Sequence, residues 1–166
     1  MRVARYGAGR TNQKFYFAKM AMQQVEQAVD EPSKQANYEA AVFHLHGAFL
    51  AFLQELSRFY KLSPQLGTTE AIRLALDAKG QVSPEISQLQ AVEDGGWLGE
   101  LQQAFADCQL APEPVEVQPE AELAEGLIMR AVTNPVEPEP VEQRLKVWHT
   151  QLQRLFAEFR QEMVEF

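Results

Sequence analysis

Hydrophobic residues recur at helical spacing in the first part of the chain. One stripe repeats at intervals of three and four residues: Phe15, Ala18, Met22, Val25 and Val29. This pattern predicts an amphipathic helix. Thr11-Asn12 are suitable N-cap residues, so we expect the helix to run from there to about Asp30, where Glu31-Pro32-Ser33 ends it.

A second and longer helix is predicted from about residue 34 to Leu62, with Ser33 as its cap and Ser63-Pro64 as its stop. One side of its helical wheel is a wide apolar arc: Tyr38, Val42, Leu45, Phe49, Phe52, Leu53, Leu56 and Tyr60. The middle of the opposite side carries mostly small residues: Ala40, His44, Gly47, Ala48 and Ala51. A helix with these two faces is expected to be central, with neighbours on both sides.

Capping signals predict three shorter helices. Thr68-Thr69-Glu70 begins one that ends at Gly80, and Ser83-Pro84-Glu85 begins another with proline at its first position. Gly95-Gly96 precedes the third, over about 97–109.

The last helix, about 140–164, has the most regular pattern in the chain. Its apolar residues follow each other at intervals of three or four: Val141, Leu145, Trp148, Leu152, Leu155, Phe159 and Met163. No segment alternates as a strand would. We therefore predict an all-α fold, a single-domain antiparallel helical bundle over 1–166 with about four longer helices and short helices between them.

The segment 111–140 differs from the rest in composition. It holds six of the nine prolines and seven glutamates, with Arg130 as its one basic residue. Prolines at this density exclude one long helix. The apolar island at 127–132 is too hydrophobic for a free linker, so we expect an extended acidic segment packed on the bundle, with its glutamates in solvent.

Charge and cysteine content narrow the classes of function. The net charge is −8, but the first 25 residues carry five basic and no acidic side chains, so residues 1–10 are expected to form a basic N-terminal arm. An acidic body makes nucleic acid an improbable partner. The lone Cys108 follows Phe105 at helical spacing and is expected to be a buried, inert thiol in a cytoplasmic protein. No apolar stretch reaches 18 residues, so no membrane span is predicted.

His44 and His46 raise the question of a metal site. They are two residues apart, about 200° around a helix, and therefore cannot chelate one ion. We expect His46 to be a core residue on the apolar arc. His44 lies among small residues that can leave a recess beside it. No cofactor-binding or metal-binding pattern is found elsewhere in the sequence.

Arg144 is followed by four residues and then His149. This spacing resembles the arginine–histidine motif of the HEPN superfamily, helical bundles that include RNases. The resemblance implies that Arg144 would stabilise a phosphorane while His149 acts as acid or base. Residues five apart point about 140° away from each other on a helix, so the two converge only across an interface or through long side-chain reach.

Two short motifs resemble a small family of uncharacterised bacterial proteins. They are the opening Arg10-Thr11-Asn12-Gln13-Lys14 with Tyr16-Phe17-Ala18, and the central Phe43-His44-Leu45 with Gly47-Ala48. The resemblance implies a compact bacterial protein with no assigned activity. It directs attention to Arg10, Asn12, Gln13 and His44 as one polar binding cluster, if the first helix packs beside the middle of the second.

Taken together, these patterns favour a non-catalytic helical protein that binds a protein partner or itself. Two alternatives stay open at this point. One is a HEPN-like nuclease or nucleotide binder using Arg144 and His149. The other is a small-ligand binder with its polar end near His44 and Asn12.

Overall fold

The computed structural model describes residues 2–63, 65–111 and 138–165, and within these ranges the chain forms helices and no strand. In chain order the helices of the described ranges are α1 (Arg2–Gln27), α2 (Glu31–Phe59), α3 (Thr69–Ala78), α4 (Pro84–Glu93), α5 (Trp97–Gln109) and α6 (Val141–Glu165). The prediction of an all-α fold is confirmed. Most of the predicted acidic extended segment, including the apolar island at 127–132, lies outside the described residues.

Three long helices, α1, α2 and α6, form the frame of the bundle. Contacts between α1 and α2 pair residues in opposite order, with Thr11 against Glu55 and Phe17 against His44, so these helices are antiparallel. Contacts of α6 with α2 run in the same order, since Lys34 pairs with Glu142 and Glu55 with Arg160. The helices α3, α4 and α5 lie between α2 and α6 in the chain, which lets α6 return parallel to α2.

The helix α2 is central, as its two-faced pattern predicts. It contacts α1, α5 and α6. Its apolar arc supplies much of the core, including Val42, Leu45, Phe49, Phe52, Leu53 and Leu56. The predicted stripe of α6 is buried against it from Leu145 through Trp148 and Leu152 to Phe159. Burial of these large side chains is the main stabilising contribution to such a bundle.

The predicted start of α1 is wrong. The helix begins at Arg2, so residues 2–10 are its first turns and Thr11-Asn12 are not its cap. Thr11 is fully buried within the helix, and its hydroxyl donates to the Glu55 carboxylate, a tertiary contact that a local capping rule does not see. At the other end α1 stops at Gln27, so Val29, which the predicted stripe includes, lies beyond the helix and is 96% exposed.

The ends of α2 are also shifted from the prediction. Asp30 is the N-cap and accepts from the Ser33 amide at 2.8 Å, so the helix starts at Glu31. It ends at Phe59, because Lys61 adopts a left-handed conformation with φ 55° and the Leu62 amide turns back to the Ser57 carbonyl. This left-handed closure of the last turn stops the helix before Ser63 is reached.

The local signals for α3, α4 and α5 are confirmed. Thr68 caps α3 through the Ala71 amide, and Ser83 caps α4 through the Ile86 amide. Gly80 has φ 67°, as a helix-ending glycine should. Among the helices of the described ranges, none is both long enough and apolar enough to cross a membrane.

Candidate functional site

A shallow groove lies on the outer face of α2, between α1 and α5. It has a volume of about 270 Å³. Its floor is formed by α2, one wall by Arg10 and Lys14 of α1, and the other wall by Phe105 of α5. Phe43 is 50% exposed and Leu50 is 37% exposed, so large apolar side chains of the floor are open to solvent. We call this surface the α2 groove.

Lys14 is held in a defined position at the edge of the α2 groove. The Lys14 stem lies along α2 at Gly47, where an added Cβ would be 3.4 Å from the Lys14 Cδ, an ordinary van der Waals distance. Its ammonium lies 4.9 Å from the centre of the Phe43 ring, within the range of a cation–π contact. The charge is therefore presented beside an exposed aromatic face.

Arg10 supplies the second cation of the groove. Its guanidinium donates to the Oε1 of Gln13, which is a neutral acceptor. Across residues 2–63, 65–111 and 138–165, neither Arg10 nor Lys14 forms an ion pair, whereas Lys34, Lys146 and Arg160 each do. The described lining of the groove contains no carboxylate.

His46 is not the core residue that the sequence predicts. It is half-buried, and its ring stacks on Phe105 at a centroid distance of 4.0 Å. Burial lowers the pKa of His46, which favours the neutral ring. His46 faces α5, as its place beside the apolar arc predicts. Phe105 of α5 covers one face of the ring, and the ring lines the groove.

His44 borders a second cavity of about 290 Å³, further along the seam between α1 and α2. Phe17, Met20 and Gln24 of α1 are also in its lining. The His44 ring contacts Phe17 and Phe43 edge-on at 5.4 and 5.3 Å. Its Nδ1 is buried and finds no hydrogen-bond partner among the described residues. The pKa of His44 is lowered by burial and then by the positive charges of Lys14 and Arg10.

The four residues predicted as one polar cluster are divided between two surfaces. Arg10 and Gln13 bind each other at the groove, and Arg10 is close enough to act on the charge of His44. Asn12 instead accepts from the Arg160 guanidinium at 3.0 Å, on the side of α1 that faces α6. The reason is that α1 packs between two helices, so residues two positions apart meet different neighbours.

Arg144 and His149 contact different parts of the bundle. The Arg144 guanidinium lies 4.9 Å from the Trp148 ring and lines a cavity of about 140 Å³ with Tyr38 and Cys108. His149 stacks on Phe15 of α1 at 4.1 Å, and its Nε2 is buried without a hydrogen-bond partner in the described residues. Burial, and then Lys19, lowers the pKa of His149. The two side chains therefore contact different aromatic residues, Trp148 and Phe15.

Cys108 is half-buried rather than fully buried, at the edge of the same small cavity. Burial raises the pKa of its thiol, and Glu39 and Asp107 raise it further, which disfavours the reactive thiolate. Within the described parts of the chain, no group of three or more His, Cys, Asp or Glu residues could hold a metal ion.

A buried polar network joins α1, α2 and α6. The Glu55 carboxylate accepts from the Thr11 hydroxyl and from Nε and Nη2 of Arg160, at 3.2 and 2.8 Å for the guanidinium. The Glu55 side chain is 8% exposed and that of Arg160 is 29% exposed. Sequence reasoning missed this network. The available signal was a carboxylate on the small-residue side of α2, between His44 and Ala48 on the wheel, where a neighbouring helix is expected and a buried acid requires a partner.

A second polar cluster fixes the start of α4 against the end of α2. The Tyr60 hydroxyl donates to Glu85 at 2.6 Å and lies 2.8 Å from the Ser83 hydroxyl, which itself donates to Glu85 at 2.7 Å. Burial works to raise the pKa of Glu85, but the hydrogen bonds from Tyr60 and Ser83 outweigh it and lower the pKa. Burial and the Glu85 hydrogen bond raise the pKa of Tyr60 to about 12.

Comparison with protein families gives one match that covers residues 6–166, a family of unknown function, DUF6586. The chain belongs to this family. No curated protein and no solved structure matches it. The DUF6586 match covers both motifs on which the resemblance rests and extends through α6. Since the family carries no assigned activity, the function of this DUF6586 chain has to be argued from its geometry.

Proposed function

We propose that this DUF6586 chain is a non-catalytic helical domain that binds a protein partner, or a second copy of itself, through the α2 groove. The carrying observation is that Phe43 is half-exposed on the floor of a concave surface between three helices. An aromatic side chain open to solvent in a depression, with a cation fixed beside it, is typical of the centre of a protein interface.

The arrangement of the floor also supports binding. Phe43 and Leu50 are seven residues apart on α2, which places them two helical turns and about 10 Å from each other. Anchors at this spacing suit a partner helix or an extended segment lying along α2. The rim contributes Arg10 and Lys14, and polar rims around apolar centres are usual in interfaces.

Site-specific photo-crosslinking in cells tests the proposal. A photoreactive phenylalanine analogue is placed at position 43, and the matched control carries it at Leu74 on α3, which is 55% exposed. We expect a discrete covalent adduct from position 43 that is absent from position 74. A Leu50→Glu change in the groove should abolish the adduct. Equal labelling from both positions, or no adduct from position 43, would contradict the proposal.

The HEPN-like alternative requires Arg144 and His149 to meet across a two-fold interface, since within one chain they contact Trp148 and Phe15 respectively. It therefore predicts a dimer that cleaves RNA. Loss of cleavage on His149→Ala, with the dimer intact, would favour the nuclease over the binding domain.

The small-ligand alternative is supported by the cavity beside His44, whose lining combines Phe17 and Met20 with glutamine amides. A ligand that binds only the folded chain there would raise the free energy of unfolding by RT ln(1 + L/Kd), where L is the ligand concentration, so the gain grows with the logarithm of L. A thermal-shift screen with the Met20→Trp variant, which fills the cavity, checks this alternative.

A bacterial origin and a cytoplasmic location belong to the same proposal. They are supported by the motif resemblance and by the single free thiol of Cys108, which suits a reducing compartment.

A further inference from the structure

From the charges around the α2 groove, we infer that its occupant is an acidic amphipathic segment of a separate protein, with apolar anchors that contact Phe43 and Leu50 and carboxylates that pair with Arg10 and Lys14. This inference rests on the proposed function and adds the chemistry of the partner. The observation that supports it is the positive charge of the α2 groove in a chain whose net charge is negative.

The groove is basic in an otherwise acidic protein. The net charge of the chain is −8, whereas the ionised side chains in the described lining of the groove are Arg10 and Lys14. The cavity beside His44 likewise has no carboxylate in its described lining. The described linings of the two cavities along the seam between α1 and α2 therefore attract an acidic segment, against a net charge of −8 for the whole chain.

The two cations are placed to bind carboxylates beside apolar anchors. Lys14 is held between Gly47 and the Phe43 ring, so a carboxylate that reaches its ammonium lies next to an exposed aromatic surface. Arg10, one helical turn away on α1, has only the neutral Gln13 amide as its described hydrogen-bond partner and can exchange it for a carboxylate.

The floor selects for the apolar part of the same segment. An anchor between Phe43 and Leu50 would contact Phe105, which His46 holds by stacking. Neither histidine adds positive charge near neutral pH, because burial lowers the pKa of both His44 and His46. The preference for acidic residues therefore depends on Arg10 and Lys14 alone.

A charge-inverted pair of probe peptides tests this inference on the full chain. Each probe is a fluorescein-labelled peptide of about 16 residues, near the length at which an isolated helix becomes marginally stable. Both carry leucine and phenylalanine at intervals of three and four residues. One has glutamate and the other lysine at the flanking positions. Binding is measured by fluorescence anisotropy at about 150 mM salt, where the Debye length is about 8 Å.

We expect the glutamate peptide to bind at least about fivefold more tightly than the lysine peptide, as two exposed ion pairs permit. The net charge of −8 predicts the opposite order, so the sign of the preference separates the local groove from the whole surface. Tighter binding of the lysine peptide, or equal binding of the two, would overturn the inference.

Two matched variants locate the effect. Lys14→Met keeps the stem beside Gly47 and removes the charge, and it should weaken binding of the glutamate peptide about threefold. Lys19→Met makes the same change on the side of α1 that acts on His149 and should leave binding unchanged. Equal weakening by both variants would contradict a local site.

Sedimentation of the full chain separates a foreign partner from a second copy. A monomer at the concentrations of the peptide titration is expected. A dimer that Phe43→Ala converts to a monomer would show that a second copy occupies the groove and would overturn the inference. An adduct at position 43 in cells with no charge preference between the peptides would refute the acidic partner and leave the proposed function standing.

Discussion

Replacing Arg160 by methionine should destabilise the bundle through the buried carboxylate of Glu55. The substitution keeps an aliphatic stem beside Phe156, whose ring lies 5.9 Å from the guanidinium carbon. It removes two hydrogen bonds to Glu55 and one to Asn12. The Glu55 side chain, 8% exposed, is then left with the Thr11 hydroxyl as its described donor.

The magnitude follows from the burial of the two partners. Removing one member of a fully buried ion pair costs about 3–5 kcal/mol. Because Arg160 is 29% exposed and water can reach the edge of the site, we expect a loss of about 2–3 kcal/mol in the free energy of unfolding. For a domain of this size that corresponds to a fall in Tm of roughly 4–12 °C.

Urea unfolding followed by circular dichroism measures this change. The matched control is Arg154→Met, an exposed position on the same helix, which should stay within about 0.5 kcal/mol of the parent. Adding Glu55→Gln to Arg160→Met should recover stability, because the double variant no longer buries an unpaired charge. An Arg160→Met variant as stable as the control, or a double variant less stable than the single one, would show that Arg160 does not compensate the buried charge of Glu55.

Three further predictions concern other parts of the bundle. Tyr60→Phe removes a hydrogen-bond donor to Glu85 and should lower the free energy of unfolding by about 1–2 kcal/mol near pH 7. The folded pKa of Tyr60 is about 12, above the usual value near 10, so its contribution to stability is present below pH 10 and lost between pH 10 and 12. Alkaline unfolding curves of the variant should lack this loss. Burial lowers the pKa of His149, so the contribution of its neutral ring to the free energy of unfolding is present above about pH 6.5 and lost as the pH falls through the folded pKa. His149→Phe should therefore flatten the dependence of stability on pH between pH 7 and 5, and an unchanged dependence would contradict this. Gly47→Ala should raise the free energy of unfolding by up to about 1 kcal/mol, since alanine favours helix and the flexible end of Lys14 can move; a loss measured in urea would show that it cannot.

Features set by neighbouring residues could be predicted from the sequence. The caps of α3 and α4 are local, because Thr68 and Ser83 each bind an amide three residues ahead. The central position of α2 follows from its composition on both sides of the wheel. The start of α1 could not be placed in this way, because Thr11 resembles a cap but is buried against Glu55, 44 residues away.

The candidate site depends on how three helices meet, and this limited the sequence prediction. The helical wheel predicts that His46 faces a neighbouring helix. How completely Phe105 of α5 covers the ring depends on the packing of α5 against α2, which the sequence pattern does not give. The resemblance places Asn12 and His44 in one cluster if α1 packs beside the middle of α2. The helix α1 does pack there, but Asn12 lies on the side of α1 that faces α6. The basic character of the groove becomes visible only when Arg10 and Lys14 lie beside Phe43.

Amide chemical-shift mapping of the full chain during titration with the glutamate peptide shows whether an acidic partner segment lies in the α2 groove. We expect the largest shifts to cluster at Lys14, Phe43, Leu50 and Phe105, with α3 unaffected. Shifts centred on α3 and α4, or spread evenly over the helices, would contradict it.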